Sequence, residues 1–322
     1  MTGYGFIDRN PIKRHMKILA FIRNWTLPLA MVAGAAGFPV IGFLSPITPY
    51  LIFVMLLLTF CRIPLSDIRF KMEHAWLLLI QIVGGMGVYF ALAPFNVLVA
   101  EGAMVCVMAP TATAAAVITD KLGGSAASLT SFTILSNLGT AIAVPLFFPA
   151  IHPMYESLGF WAAFFMIFGR VLPLLVAPFV MAVVLHRFLP RVHRKLSAMH
   201  RASFYLWAVA LMIVMAQTTN TLVNEPAEGM TEIWIAAGAL LVCCGQFFLG
   251  KKIGAVYGER ITGGQALGQK NTILAIWVAH TYLTPITAVG AGSYVVWQNL
   301  INSWQLWRER KRQEAGIVKL PE

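Results

Sequence analysis

Charge is scarce in this 322-residue chain, and negative charge is scarcest. Only 11% of the residues are charged, with 13 Asp and Glu against 24 Lys and Arg. Soluble domains carry roughly 25%, so an ordinary water-soluble globular protein is excluded. A hydrophobic content of 58% and a mean hydropathy of +0.73 exclude a disordered chain as well. Cysteine is sparse: Cys61, Cys106, Cys243 and Cys244 lack metal-site spacing and sit in or beside apolar stretches. There cysteine serves as a small packing residue, so neither disulfides nor a metal are expected. The chain has no His-Glu-x-x-His pair, no phosphate loop and no nucleophile–base couple. His74, His152, His186, His193 and His200 lie in loops or at the ends of apolar runs, and His280 is at most a gate residue. Neither an enzyme nor a cofactor is expected, and no cleavable signal is expected behind the basic start.

What is abundant is apolar sequence in long runs. About 20 residues cross a bilayer as helix. Ten such runs are read near 24–44, 47–63, 73–92, 96–119, 126–149, 160–186, 203–223, 231–250, 262–281 and 284–307. Lys and Arg collect in cytoplasmic loops of membrane proteins. With both ends inside, the inner loops and tails hold 22 of the 24 basic residues, and the proposed outer loops hold none. The net charge of +11 therefore reports topology, and nucleic-acid binding is not expected. Runs such as Arg308–Arg312 suit a cytoplasmic membrane surface and require no partner beyond lipid.

The expected fold is an all-α polytopic membrane protein with five spans in 24–149 and five in 160–307. Segments 1–23 and 308–322 form its cytoplasmic ends. An odd number of spans per half inverts the second half, the plan of inverted-repeat secondary transporters. The fourth run of each half is the irregular one, at Ala109–Thr113 and at Gly268–Thr272. Matched interruptions of this kind point to a transport site, where freed backbone groups bind an ion or anion.

Two cations remain inside the apolar runs. Lys270 lies about 12 Å into the ninth run, and Arg170 lies about ten residues into the sixth. Neither has an acidic residue at its own depth, and an intramembrane cation usually faces a cavity or a partner. Lys270 is expected to gain and lose a proton during transport, and Arg170 to attract a carboxylate. The structural alternatives are that Lys270 caps the carbonyls of a broken helix and that Arg170 closes a static network. Thr111, Thr113, Thr133, Gln269, Asn271, Thr272, Gln298 and Asn299 supply polar groups at similar depth.

Three segments carry a family resemblance. Tyr294-Val-Val-Trp-Gln-Asn-Leu300 is similar to a last-span segment ending in Trp-His-Asn. Asn271-Thr-Ile-Leu-Ala275 is similar to Asn-Ser-Gly-Leu-Ala. Pro110-Thr-Ala-Thr-Ala-Ala-Ala116 is similar to Pro-Gly-Gly-Thr-Ala-Ser-Asn. Together they resemble the bile acid:sodium symporter family and its bacterial organic-anion relatives, over about 24–312.

The resemblance implies a core domain near 73–149 and 231–307, a panel domain near 24–63 and 160–223, and crossing broken helices 4 and 9. It also implies a bacterial inner membrane, alternating access and a small organic anion as substrate. Thr113, Asn271 and Asn299 fall on residues that face substrate or line the crossing, and Gln298 takes the place of the motif histidine. The sodium motifs depart from the family. Ala115 and Ala116 replace a Ser-Asn pair, Leu129 replaces another ligand, Ala266 replaces a Glu, and Lys270 replaces a Gln. A one-residue shift would instead put Gln265 and Gln269 in the Glu and Gln places; Thr133 is retained. Alanine offers no side-chain oxygen, and an ammonium repels sodium. Lys270 is thus expected to replace the ion, giving sodium-independent transport that is proton-coupled or facilitated. The alternative is a sodium-coupled organic-anion or bile-acid symporter.

Overall fold

The computed structural model describes residue 26 and residues 28–225 and 229–314. The expected cytoplasmic segment 1–23 and the end of the tail lie outside the described residues. The chain is all helix apart from one isolated β-bridge among the described residues. Helix α1 covers 28–36, followed by α2 (Phe38–Ile41), a 3-10 turn (Gly42–Ile47) and α3 (Thr48–Phe60). Then come α4 (Met72–Leu92), α5 (Val97–Met108), α6 (Ala115–Lys121), α7 (Ala126–Ile151) and α8 (Phe160–Phe188). The rest are α9 (Pro190–Ala198), α10 (His200–Asn224), α11 (Thr231–Val256), α12 (Arg260–Gly268), α13 (Thr272–Tyr282) and α14 (Ala288–Glu314).

Six described helical stretches are long and apolar enough to cross a membrane: Phe38–Phe60, Met72–Leu92, Ala126–Ile151, Phe160–Phe188, Ala202–Asn224 and Thr231–Val256. The other expected spans take different forms. The run at 96–119 is split into α5 and α6, and that at 262–281 into α12 and α13. The last run becomes α14, whose final turns carry Arg308–Arg312. Around Gly37, Pro39, Pro46 and Pro49 the first two runs merge into a series of short helical pieces.

Large apolar side chains such as Phe43, Phe90, Phe165, Leu241 and Phe248 point outward. Exposed apolar surface on this scale is what a lipid-facing protein presents. Small residues let the inner helices approach closely. On α11, Gly250 and Gly254 sit four apart, and α12 lays Gly263 against both. A methyl group on any of the three would strike the opposing backbone. This is the small-xxx-small contact of membrane helices.

An ion pair fastens the same region. Lys71, just before α4, donates to Glu259 Oε1 at 2.6 Å, and Thr262 donates to the other oxygen at 2.7 Å. Burial alone would push the Glu259 carboxyl up, but these bonds and the lysine charge hold it below its ordinary value. Its contribution to stability is present above the unfolded carboxylate value near 4.5 and disappears as pH falls through the lower folded value. Lys71 is half exposed, so the pair contributes at most about 1 kcal/mol. E259Q should lower the melting temperature in detergent by about 2–4 °C at pH 7. The gap between the two proteins should close in melts at acid pH.

Candidate functional site

The site starts from two places where a helix cannot continue. Pro110 has no N–H and disfavours a helical residue before it. Accordingly Ala109 turns extended, at φ −53° and ψ 141°, and α5 stops. In the second place Gln269 adopts φ −102° and ψ 100°, and α12 stops. The two extended segments run antiparallel and bridge Thr111 to Lys270. Asn271 N donates to the Pro110 carbonyl and Ala112 N to the Gln269 carbonyl, each at 2.8 Å. The pairing satisfies backbone groups that the breaks would otherwise leave bare in a dry interior.

The last turn of α5 aims its free carbonyls at this crossing, and distant side chains take each of them. Gln246 on α11 donates to the Cys106 carbonyl at 3.2 Å. Lys270 Nζ donates to the Val107 carbonyl at 2.8 Å. Gln81 on α4 and Thr140 on α7 donate to the Met108 carbonyl at 3.1 and 2.9 Å. The end of α12 is treated likewise. Thr111 Oγ1 donates to the Ala266 carbonyl at 2.7 Å, and the Tyr294 hydroxyl donates to that of Gly268 at 2.9 Å. Two helix C-termini, each carrying partial negative charge, thus converge where the Lys270 amine is buried. Lys270 is only 1% exposed.

The structure treats the sequence-derived residues unequally. Thr111, Lys270 and Gln298 come together. Lys270 N donates to Gln298 Oε1 at 2.8 Å, and Gln298 Nε2 reaches back to the Lys270 carbonyl at 3.4 Å. Thr111 N donates to Ser136 Oγ at 3.0 Å, which in turn donates to Gln81 Oε1 at 2.6 Å. Asn271 caps α13 by accepting from Leu274 N at 3.3 Å, with Thr272 buried beside it as the first residue of that helix. Thr113 is half-buried two residues beyond the bridge. Gln265 and Gln269 line the buried side of α12; Gln265 Nε2 donates to Asn302 Oδ1 at 3.0 Å, and the Gln269 carbonyl belongs to the crossing.

Three others do not join this group. Thr133 Oγ1 donates to the Leu129 carbonyl of its own helix at 2.9 Å. Asn299 does the same with the Val295 carbonyl at 2.7 Å, so its neighbour Gln298, and not Asn299, reaches the bridge. Arg170 is exposed on α8 and stands by Tyr282, at the far end of α13 from the bridge. Among the described residues, the basic side chain that reaches the crossing is Lys270, and its partner is a helix-end carbonyl.

Sequence reading missed Gln81, Thr140, Gln246 and Tyr294. Two of them left a signal: Gln81 and Gln246 are lone amides within otherwise apolar helices, where an unpaired amide is costly. Tyr294 lay inside a segment already singled out, but nothing local shows that its hydroxyl spans to Gly268.

Among the described residues, no group of three or more His, Cys, Asp or Glu is arranged to hold a metal ion, and the four cysteines are free. No curated relative matches the chain. The family model for the Sodium Bile acid symporter family matches residues 48–225, which run from α3 to the end of α10 and include Pro110–Ala116. That span is more than half of the 322 residues, and it marks a transporter rather than an enzyme. This multi-pass helical protein, with its paired extended segments between short helices, belongs to the Sodium Bile acid symporter family.

Proposed function

We propose that the protein is a secondary transporter of small organic anions, bile-acid-like or smaller carboxylates, that works by alternating access without sodium. One observation carries this reading: the fully buried Lys270 ammonium rests on the Val107 carbonyl, at the end of a broken helix. In transporters of this architecture, half-helix C-terminal ends are where coupling cations are coordinated. A tethered ammonium in such a place supplies the positive charge of a cation without an ion being bound.

The proposed architecture is ten spans in two inverted five-helix halves, with α5–α6 and α12–α13 as the crossing spans. The alternation of basic loops supports it, with both termini in the cytoplasm and the protein in a bacterial inner membrane. The core would contain α4–α7 and α11–α14, and the panel α1–α3, α8 and α10. Packing of α3 against both α8 and α10 fits a separate panel layer. Substrate carboxylate would meet the start of α13, where the helix dipole favours an anion. Thr111, Thr113, Asn271, Thr272 and Gln298 would shape this region. Gln265 and Gln269 would lie beside the position that Lys270 fills, with Thr133, tied to its own helix, outside them. Arg170, on the panel side and beside Tyr282, would steer the anion toward the cleft. Loss and gain of a proton by Lys270 would bias which side opens.

Counterflow of a radiolabelled carboxylate in proteoliposomes tests the reading. Uptake at fixed pH should change less than about twofold when inward sodium replaces potassium. A steep rise with inward sodium would select the sodium-coupled symporter instead.

A further inference from the structure

We infer that the corner between α8 and α9 is a binding site for the phosphate headgroup of an anionic phospholipid. It lies on a different part of the chain from the crossing. Pro190, His193, Arg194, Ser197 and Ala198 repeat at the three- and four-residue spacing of one helical face, and with His186 of α8 they line a cavity of about 450 Å³. The His186 and His193 rings meet edge to face, with centroids 4.9 Å apart. A guanidinium, two imidazoles and a hydroxyl around one cavity form a donor set suited to phosphate oxygens. Arginine presents paired donors that match phosphate geometry.

Charge and depth favour a lipid as the source of that phosphate. No acidic residue occurs anywhere from 157 to 224, whereas Arg187, Arg191, Arg194, Lys195 and Arg201 fall within fifteen residues. Among the described residues, no ion pair draws on Arg187, Arg191, Arg194 or Lys195. The corner also carries apolar surface beside its cations. Leu196 packs on the main apolar core, while Phe188, Leu189, Val192 and Met199 around it are exposed. An amphipathic basic helix with an apolar rim lies in the headgroup layer, and basic pockets there take anionic headgroups.

The histidine pair adds a pH dependence. Burial and the adjacent His186 hold His193 below the usual imidazole value, so it is largely neutral at pH 7. The other charged or titratable residues nearby in the chain are His186 and Arg187 on α8 and Arg191, Arg194 and Lys195 on α9, and α3, which also packs against α9, ends just before Cys61 and Arg62. All the charged ones are cations. A phosphate among them favours the imidazolium, so binding should tighten as pH falls from 7.5 to 6.

The test uses the full chain purified in detergent, with melting temperature and native mass spectrometry as readouts. Added phosphatidylglycerol should raise the melting temperature by about 3 °C or more and leave one retained lipid. Phosphatidylcholine should do neither. H193A/R194A should lose both effects, while K121Q, at the end of α6 and outside this corner, should keep them. Should the double variant fail to fold, S197A and R194Q carry the same comparison and should weaken retention severalfold. Equal shifts from phosphatidylcholine, or full retention by the cavity variants, would overturn the site. Reproduction of the whole shift by millimolar inorganic phosphate would overturn the lipid as its occupant.

Discussion

K270M should reduce anion transport by about 100-fold or more while the purified protein still folds. The amine is the charge that the crossing contains, and stranding a charge partner in a dry site costs about 2–5 kcal/mol of interaction, with 1.4 kcal/mol per decade. The stability change should be small by comparison. Methionine fills nearly the same volume and removes a buried cation, which is neutral or favourable. Against that, the Val107 carbonyl loses its donor, at about 1–3 kcal/mol. The two effects oppose, so the melting temperature should move by only a few degrees. K270Q separates charge from hydrogen bonding. Its amide can still donate to Val107, so its fold should match the parent closely, and its transport should nonetheless collapse. If the lysine has displaced sodium, K270Q should also regain some activity when sodium is supplied. Counterflow beside melting curves makes these distinctions. Parental transport by K270M would end the electrostatic account.

G263V should prevent the protein from assembling, and G254V should come close to it. At both positions an added Cβ meets opposing backbone, Gly250 and Gly254 in one case and Glu259 and Gly263 in the other. Overpacking normally costs about 1–3 kcal/mol because a flexible neighbour gives way. Backbone cannot retreat without moving the whole helix, so the cost here should exceed that range. The consequence extends to the site, since α12 leads directly into Gln269 and Lys270 at the bridge. Gly87 and Gly245 are the controls: open space surrounds each Cβ position. G245A should leave stability equal or raise it by about 0.5–1 kcal/mol, since alanine suits a helix interior better than glycine. The checks are the yield of monodisperse protein and its melting temperature. A monodisperse G263V melting with the parent would show that α11 and α12 have slack the contact does not display.

The places where the two short helices end were legible because their causes are local. Pro110 removes its own N–H, and the polar sequence from Gln269 to Asn271 stands out in an apolar run. The unequal fates of Gln298 and Asn299 were not legible. Adjacent residues on a helix point about 100° apart, and only the position of α12 beside α14 decides which amide meets Lys270. The same holds for Arg170, whose depth can be counted along α8 but whose neighbour Tyr282 comes from a helix more than a hundred residues away.

Composition alone made this a membrane protein, and the spacing of its cations alone suggested how it threads the bilayer. Both follow from transfer free energies that each residue carries wherever it stands. The tertiary structure decided that the breaks pair with each other and that the Lys270 amine ends on Val107 rather than on an acid. It also decided that Gln81, Thr140, Gln246 and Tyr294 close the remaining carbonyls. These bonds join groups far apart in the chain, and a helix end left bare in an apolar interior takes whichever donor the packed helices bring within 3 Å or so.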